Sequence, residues 1–138
     1  LNQLTNGIVS ILYGIEPLPP KKSAAEELAK LINLKGIDAA VEEFNKLKEN
    51  KDEYKVSERE MNQLGYIYLQ SGKISEAVKV FKLNVELYPN SANVYDSYGE
   101  ALAASGDKEN AILNYRKSVE LDPANANGIE ALKKLENK

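Results

Sequence analysis

The chain contains no cysteine and no histidine. The first absence removes disulfides and thiolate chemistry, and it leaves the redox compartment unreadable. The second removes the commonest metal ligand and the side chain best suited to proton transfer near neutral pH, which weighs against catalysis. An excess of one charge is missing too: 18 basic and 21 acidic residues give a net charge of -3. Such a balance provides no global field for nucleic acid or anionic lipid. Nor is there a long apolar run. The longest, Gly7 to Ile15, falls short of the roughly 20 residues that span a bilayer, so no direct membrane insertion is expected. It has no basic segment before it and no small-residue cleavage site after it, so it does not read as a signal segment.

What remains is a globular composition, 43% hydrophobic and 28% charged over 138 residues, enough for one domain with a core. Leu4, Ile8, Ile11 and Leu12 recur at helical spacing, and Gly14 follows as a stop. Three prolines between Glu16 and Lys22 then make an extended spacer, because proline fixes φ and pushes its predecessor out of the α region. Residues 1–22 therefore read as a helix and a Pro-rich linker. Since the chain opens on Leu1 rather than Met, it is expected to be a piece of a longer protein.

From Ser23 to the C-terminus the pattern is helix, turn, helix. Ser23 with Glu26, and Ser57 with Glu60, have capping-box spacing. Gly36, Gly72 and Pro89 are stops, and residues 48–55 form a charged loop. The strongest signal is a recurrence. Sliding residues 58–91 onto 92–125 matches Gly65 with Gly99, Ser71 with Ser105, Gly72 with Gly106, and Ala77 with Ala111. Val85, Glu86, Leu87 and Pro89 match Val119, Glu120, Leu121 and Pro123. Chance would give roughly two matches in such a window. Phe81 and Tyr115 correspond as well. Glycine inside a helix costs roughly 1 kcal/mol against alanine, so Gly65 and Gly99 are expected where helices approach closely, opposite Ala77 and Ala111. Ser91 and Asn125 are expected to cap the helices after the proline stops.

A helix–turn–helix unit of this length has the period of the tetratricopeptide repeat. The expected fold is all-α, a right-handed tetratricopeptide-like solenoid of about three helix pairs. It comprises an irregular unit 23–57, repeats 58–91 and 92–125, and a capping helix 126–138, which together make one domain over 23–138. In the irregular unit Ala40 and Phe44 precede Ala77 and Phe81 by 37 residues, so that unit carries an insertion. Ile129, Leu132 and Leu135 give the capping helix one apolar side, as repeat arrays need at their ends.

The run from Val80 to Ala101, VFKLNVELYPNSANVYDSYGEA, resembles the C-terminal repeat region of bacterial serine hydrolases related to β-lactamases and penicillin-binding proteins. The stretch from Ile11 to Ser23, ILYGIEPLPPKKS, is similar to the junction between such a hydrolase domain and its tail. The resemblance implies a parent acting outside the cytoplasm on an amide or ester, with Asn2 to Tyr13 as the terminal helix of its missing upstream catalytic domain, and that domain as one partner of this module.

Ser105 and Lys108 match the S-x-x-K nucleophile motif of that superfamily, but they span a turn between helices. The chemistry needs the serine at the start of a buried helix with the lysine one turn on. Asp107 is better read as a helix cap. No catalytic, cofactor-binding or metal-binding residue is assigned. Tyr68, Tyr95, Tyr98 and Tyr115 fall at packing positions and are expected in the core.

A repeat solenoid offers one predicted functional surface, its concave groove. Helical spacing places Arg59, Asn62, Tyr66, Leu69 and Gln70 on that face in one repeat. Asn93, Asp96, Glu100 and Ala103 follow from the next. Asp96 and Glu100 should repel carboxylate tails. The expected partner is a protein or peptide, with self-association left open. The expected function is a non-catalytic interaction or support module of the hydrolase; a stand-alone adaptor that binds a peptide in the groove is the alternative.

Overall fold

The computed structural model describes Gly14 and residues 17–137; the helix expected over 2–13 lies outside the described residues. Seven helices run from Ser23 onward. They are α1 (Ala24–Lys35), α2 (Ile37–Leu47), α3 (Glu58–Gln70), α4 (Ile74–Leu87), α5 (Ala92–Ala104), α6 (Lys108–Leu121) and α7 (Ala126–Glu136). The fold is an all-α helical repeat solenoid.

The stops and starts have local causes. Ser23 Oγ accepts the Glu26 N–H at 3.2 Å to open α1, and Ser57 Oγ accepts the Glu60 N–H at 3.3 Å to open α3. Asp107 and Asn125 do the same for α6 and α7. These side chains satisfy amides that the first helical turn cannot. Ser91 departs from the expected role: it makes no capping bond, and its hydroxyl donates to Glu58 Oε1 at 2.7 Å. Glu60 likewise does not close its box, because its Oε2 accepts from Ser23 Oγ at 3.2 Å and so ties α3 to the start of α1. Gly72 and Gly106 hold φ of 76° and 87° after α3 and α5, a region that side-chain-bearing residues avoid.

Helices pack as pairs, α1 on α2, α3 on α4 and α5 on α6, and the pairs stack through α4 on α5 and α6 on α7. Ala40, Phe44, Ala77 and Phe81 form the fully buried spine, with Leu28, Met61 and Val80 around it, and Ala111 is fully buried in the next repeat. Removing such side chains from water is the main force holding the units together. At Gly65 and Gly99 the nearest atoms that a side chain would meet belong to an aromatic ring. A Cβ on Gly65 would lie 2.6 Å from Cζ of Phe81, and one on Gly99 would lie 3.1 Å from the Tyr115 ring.

The first unit joins differently. It meets the second through α1 against α3 and α2 against α4, without the extensive packing of α2 on α3 that the repeat pattern would provide. Instead a short parallel pairing, β1 (Lys22–Ser23) with β2 (Tyr54–Lys55), crosses the junction. The Lys22 N–H donates to the Glu53 carbonyl at 2.8 Å, and its ammonium pairs with Glu53 Oε1 at 3.1 Å. The end of the proline-rich spacer is therefore tied down, and the expected charged loop over 48–55 ends in a strand. Among the described residues, no helix is long and apolar enough to cross a membrane.

Candidate functional site

The candidate face is built on α3 and α5. Residues three and four apart share one side of a helix, which places Arg59, Asn62, Tyr66, Leu69 and Gln70 along α3. Asn93, Asp96, Glu100 and Ala103 follow the same spacing on α5. The two sets meet. The Tyr66 hydroxyl donates to Glu100 Oε2 at 2.7 Å and lies 3.3 Å from Ser97 Oγ, while its ring stands edge-on to Phe81 with centroids 5.1 Å apart. Burial raises the Tyr66 pKa to about 12, with the Ser97 hydrogen bond opposing and the Glu100 hydrogen bond adding to the rise.

Asp96 is tied to the following element in the same way. Its Oδ1 accepts from Asn125 Nδ2 at 3.0 Å, and its Oδ2 accepts from Asn127 Nδ2 at 2.8 Å. Asn125 Nδ2 also donates to Ser118 Oγ at 2.9 Å, and Ser118 Oγ in turn donates to the Ala92 carbonyl at 2.7 Å. Tyr66, Asp96 and Glu100 thus take part in a ladder that joins one unit to the next. Exposed Arg59, Gln70 and Asn93 make no side-chain hydrogen bond within the described residues, whereas Leu69 packs partly into the core and Ala103 is half-buried.

The preceding repeat carries the same ladder with one rung changed. Asn84 Nδ2 donates to the Glu58 carbonyl at 3.0 Å, the counterpart of Ser118 donating to Ala92. Position 91, equivalent to Asn125, is the serine whose hydroxyl is committed to Glu58. Val94 stands where the later repeat has Gly128, and a Cβ on Gly128 would lie 2.7 Å from Asn125 Nδ2. An asparagine amide thus fits the later junction and not the earlier one. Accordingly Asn62 Oδ1 and Asn84 Oδ1, the counterparts of the two acceptors that Asn125 serves, meet no donor from the protein. Asn62 turns its acceptor inward and cannot offer it to a ligand on the face.

Sequence reasoning missed Ser97, Asn125 and Asn127 as partners of this face. A signal was available, since Asn62 becomes Asp96 and Ser91 becomes Asn125 together between repeats. Tyr68 and Tyr115 are buried as expected, but Tyr95 and Tyr98 are only half-buried, and the Tyr95 hydroxyl donates to the Pro89 carbonyl at 2.8 Å. Ser105 closes α5 and donates to the Leu102 carbonyl at 2.7 Å, while Lys108 begins α6.

The tetratricopeptide repeat family profile matches residues 61–91 and 92–125, so two such repeats are found, side by side, over the stretch that carries the candidate face apart from Arg59. No curated protein matches the chain.

Proposed function

We propose that the chain is a non-catalytic protein-docking module that presents Arg59, Gln70 and Asn93 to a protein or peptide partner. Tetratricopeptide repeats imply protein–protein interaction, and the observation that carries this reading is the division of labour on the candidate face. The Tyr66 hydroxyl, both oxygens of Asp96 and one oxygen of Glu100 are used in holding α3, α5 and α7 in register, which stiffens the surface. A surface whose side chains are already fixed loses less entropy on binding. The exposed cation, amide and amide at its edges are left to recognise the partner.

The resemblance of the Val80–Ala101 run to the tails of β-lactamase-related serine hydrolases supports a more specific role. In that role the module props or positions the hydrolase domain outside the cytoplasm, and the proline-rich stretch after Glu16 is the joint. A stand-alone adaptor is the alternative. Reading the gene upstream of Leu1, and co-expressing the chain with any domain found there in the same frame, separates the two. Co-purification that weakens in Arg59→Glu and Asn93→Ala supports a hydrolase-docking module. An upstream frame without an S-x-x-K helix start removes the hydrolase, and a domain that binds the wild type and both variants equally removes this face as the contact.

A further inference from the structure

The irregular junction between the first unit and the second leaves open positions that the regular junction buries. Glu60, Gln63 and Ile67 on α3 correspond, one repeat on, to Val94, Ser97 and Ala101 on α5. The latter three are 0%, 1% and 0% exposed, covered by the preceding repeat. Ile67 is 60% exposed, and Gln63 is open to solvent as well. The cause lies in the packing: α4 lies on α5, whereas α2 does not cover α3 in this way.

The resulting groove, about 290 Å³, runs between α1 and α3. Its walls are Ala25 and Ala29 on one side and Leu64 and Ile67 on the other. Its polar lining includes two carboxylates, Glu26 and Glu60, and no lysine or arginine. Small residues on α1 let an incoming side chain approach the helix closely, and an exposed isoleucine beside them offers it an apolar contact. The carboxylates favour cations at the mouth. Glu60 is held in place by Ser23 Oγ, so one of the two charges is fixed before anything binds.

We propose that this groove docks a short amphipathic segment of a partner protein, inserting an aliphatic side chain between Ala29 and Ile67 with a neighbouring lysine or arginine against Glu26 and Glu60. A groove of about 290 Å³ has room for the side chains of a short segment. This surface is separate from the Arg59 and Asn93 edge and does not depend on it.

The test is fluorescence anisotropy with a labelled synthetic helix-forming peptide carrying leucines at i and i+4 beside lysines. A twin with glutamate for lysine is measured in parallel, and the protein is checked by sedimentation. The lysine peptide is expected to bind the wild type more tightly than its twin. Ile67→Glu should weaken it by roughly tenfold or more, the loss expected for one buried aliphatic contact. Leu113→Glu, at an exposed leucine on α6, should leave it unchanged. Failure of the lysine peptide to bind, equal binding of both peptides, or binding indifferent to Ile67→Glu would each overturn the proposal. So would a dimer abolished by Ile67→Glu, which would assign the groove to a second copy of the chain. Because Ile67 is exposed, its substitution tests binding without emptying the core.

Discussion

Replacing Gly65 by alanine places a methyl group against a ring that has nowhere to go. The added Cβ would lie 2.6 Å from Cζ and 2.7 Å from Cδ1 of Phe81, where carbon atoms ordinarily sit about 3.5–4.0 Å apart. Phe81 is fully buried, and Tyr66 stands edge-on to it with its hydroxyl bound to Glu100. A shift of close to 1 Å in the ring would therefore drag the α3–α5 ladder with it. Overpacking of this kind costs about 1–3 kcal/mol, and the clash puts Gly65 at the upper end. Alanine returns about 1 kcal/mol of helix propensity. The net expectation is a loss of about 2 kcal/mol, or about 4–8 °C in melting temperature for a chain of this size. Gly99 is an internal control at the same repeat position. There the Cβ would lie 3.1–3.2 Å from the Tyr115 ring, so a few tenths of an ångström of give suffices. Propensity and crowding should nearly cancel, and Gly99→Ala should fall within about 0.5 kcal/mol of wild type. Urea denaturation of both variants reads the difference, and the double variant with Phe81→Leu measures the coupling. Equal losses at the two glycines, or an undiminished effect of Gly65→Ala in the Phe81→Leu background, would refute the steric argument.

Three further outcomes follow from the same geometry. Asn125→Ala removes the cap of α7 together with the bonds to Asp96 and Ser118, and should cost about 1–3 kcal/mol in urea denaturation, with α7 losing amide protection first. Ser118→Ala leaves the Ala92 carbonyl without its side-chain donor and should cost about 1–2 kcal/mol in the same assay; no loss would show that the rung is dispensable. The third is alkaline sensitivity. Burial holds the Tyr66 phenol up at about 12, so its contribution is complete below the unfolded tyrosine value near 10. It is lost as pH climbs from there through 12. Tyr115 is pushed up by burial too, and by the charges of Asp96 and Glu100. Tyr66→Phe should flatten part of the fall in stability above pH 10 and leave the part due to Tyr115.

The repeat was legible because its constraints are local or strictly periodic. Gly65 and Gly99, the buried aromatic after each, and the glycine and proline stops announce themselves by spacing alone. The face of α3 and α5 was legible only as a set of positions. Helical geometry placed Tyr66, Asp96 and Glu100 together, but whether their polar atoms faced solvent or one another depended on Ser97, Asn125 and Asn127 arriving from other elements. Single-sequence patterns carry little information on such long-range partners. The pairing of Lys22 with Tyr54 escaped for the same reason: two residues on each side leave no alternation to read, and Tyr54 sits in a charged stretch that resembles a loop.

The 37-residue spacing from Phe44 to Phe81 and the open groove beside Ile67 are consequences of one insertion. Residues added between α2 and α3 keep Ala40 and Phe44 in the spine, since both stay fully buried. They do so by letting the second helix of the first unit swing out of the slot that α4 occupies on α5. The pairing of β1 with β2 and the Ser23–Glu60 hydrogen bond brace the gap at one end. What would be covered surface in a regular stack becomes a lined groove with a fixed carboxylate. Ile67 carries a large apolar side chain at an open position where the regular repeat buries Ala101. Exposing it costs solubility and gains nothing for packing, and a partner that covers it would offset that cost.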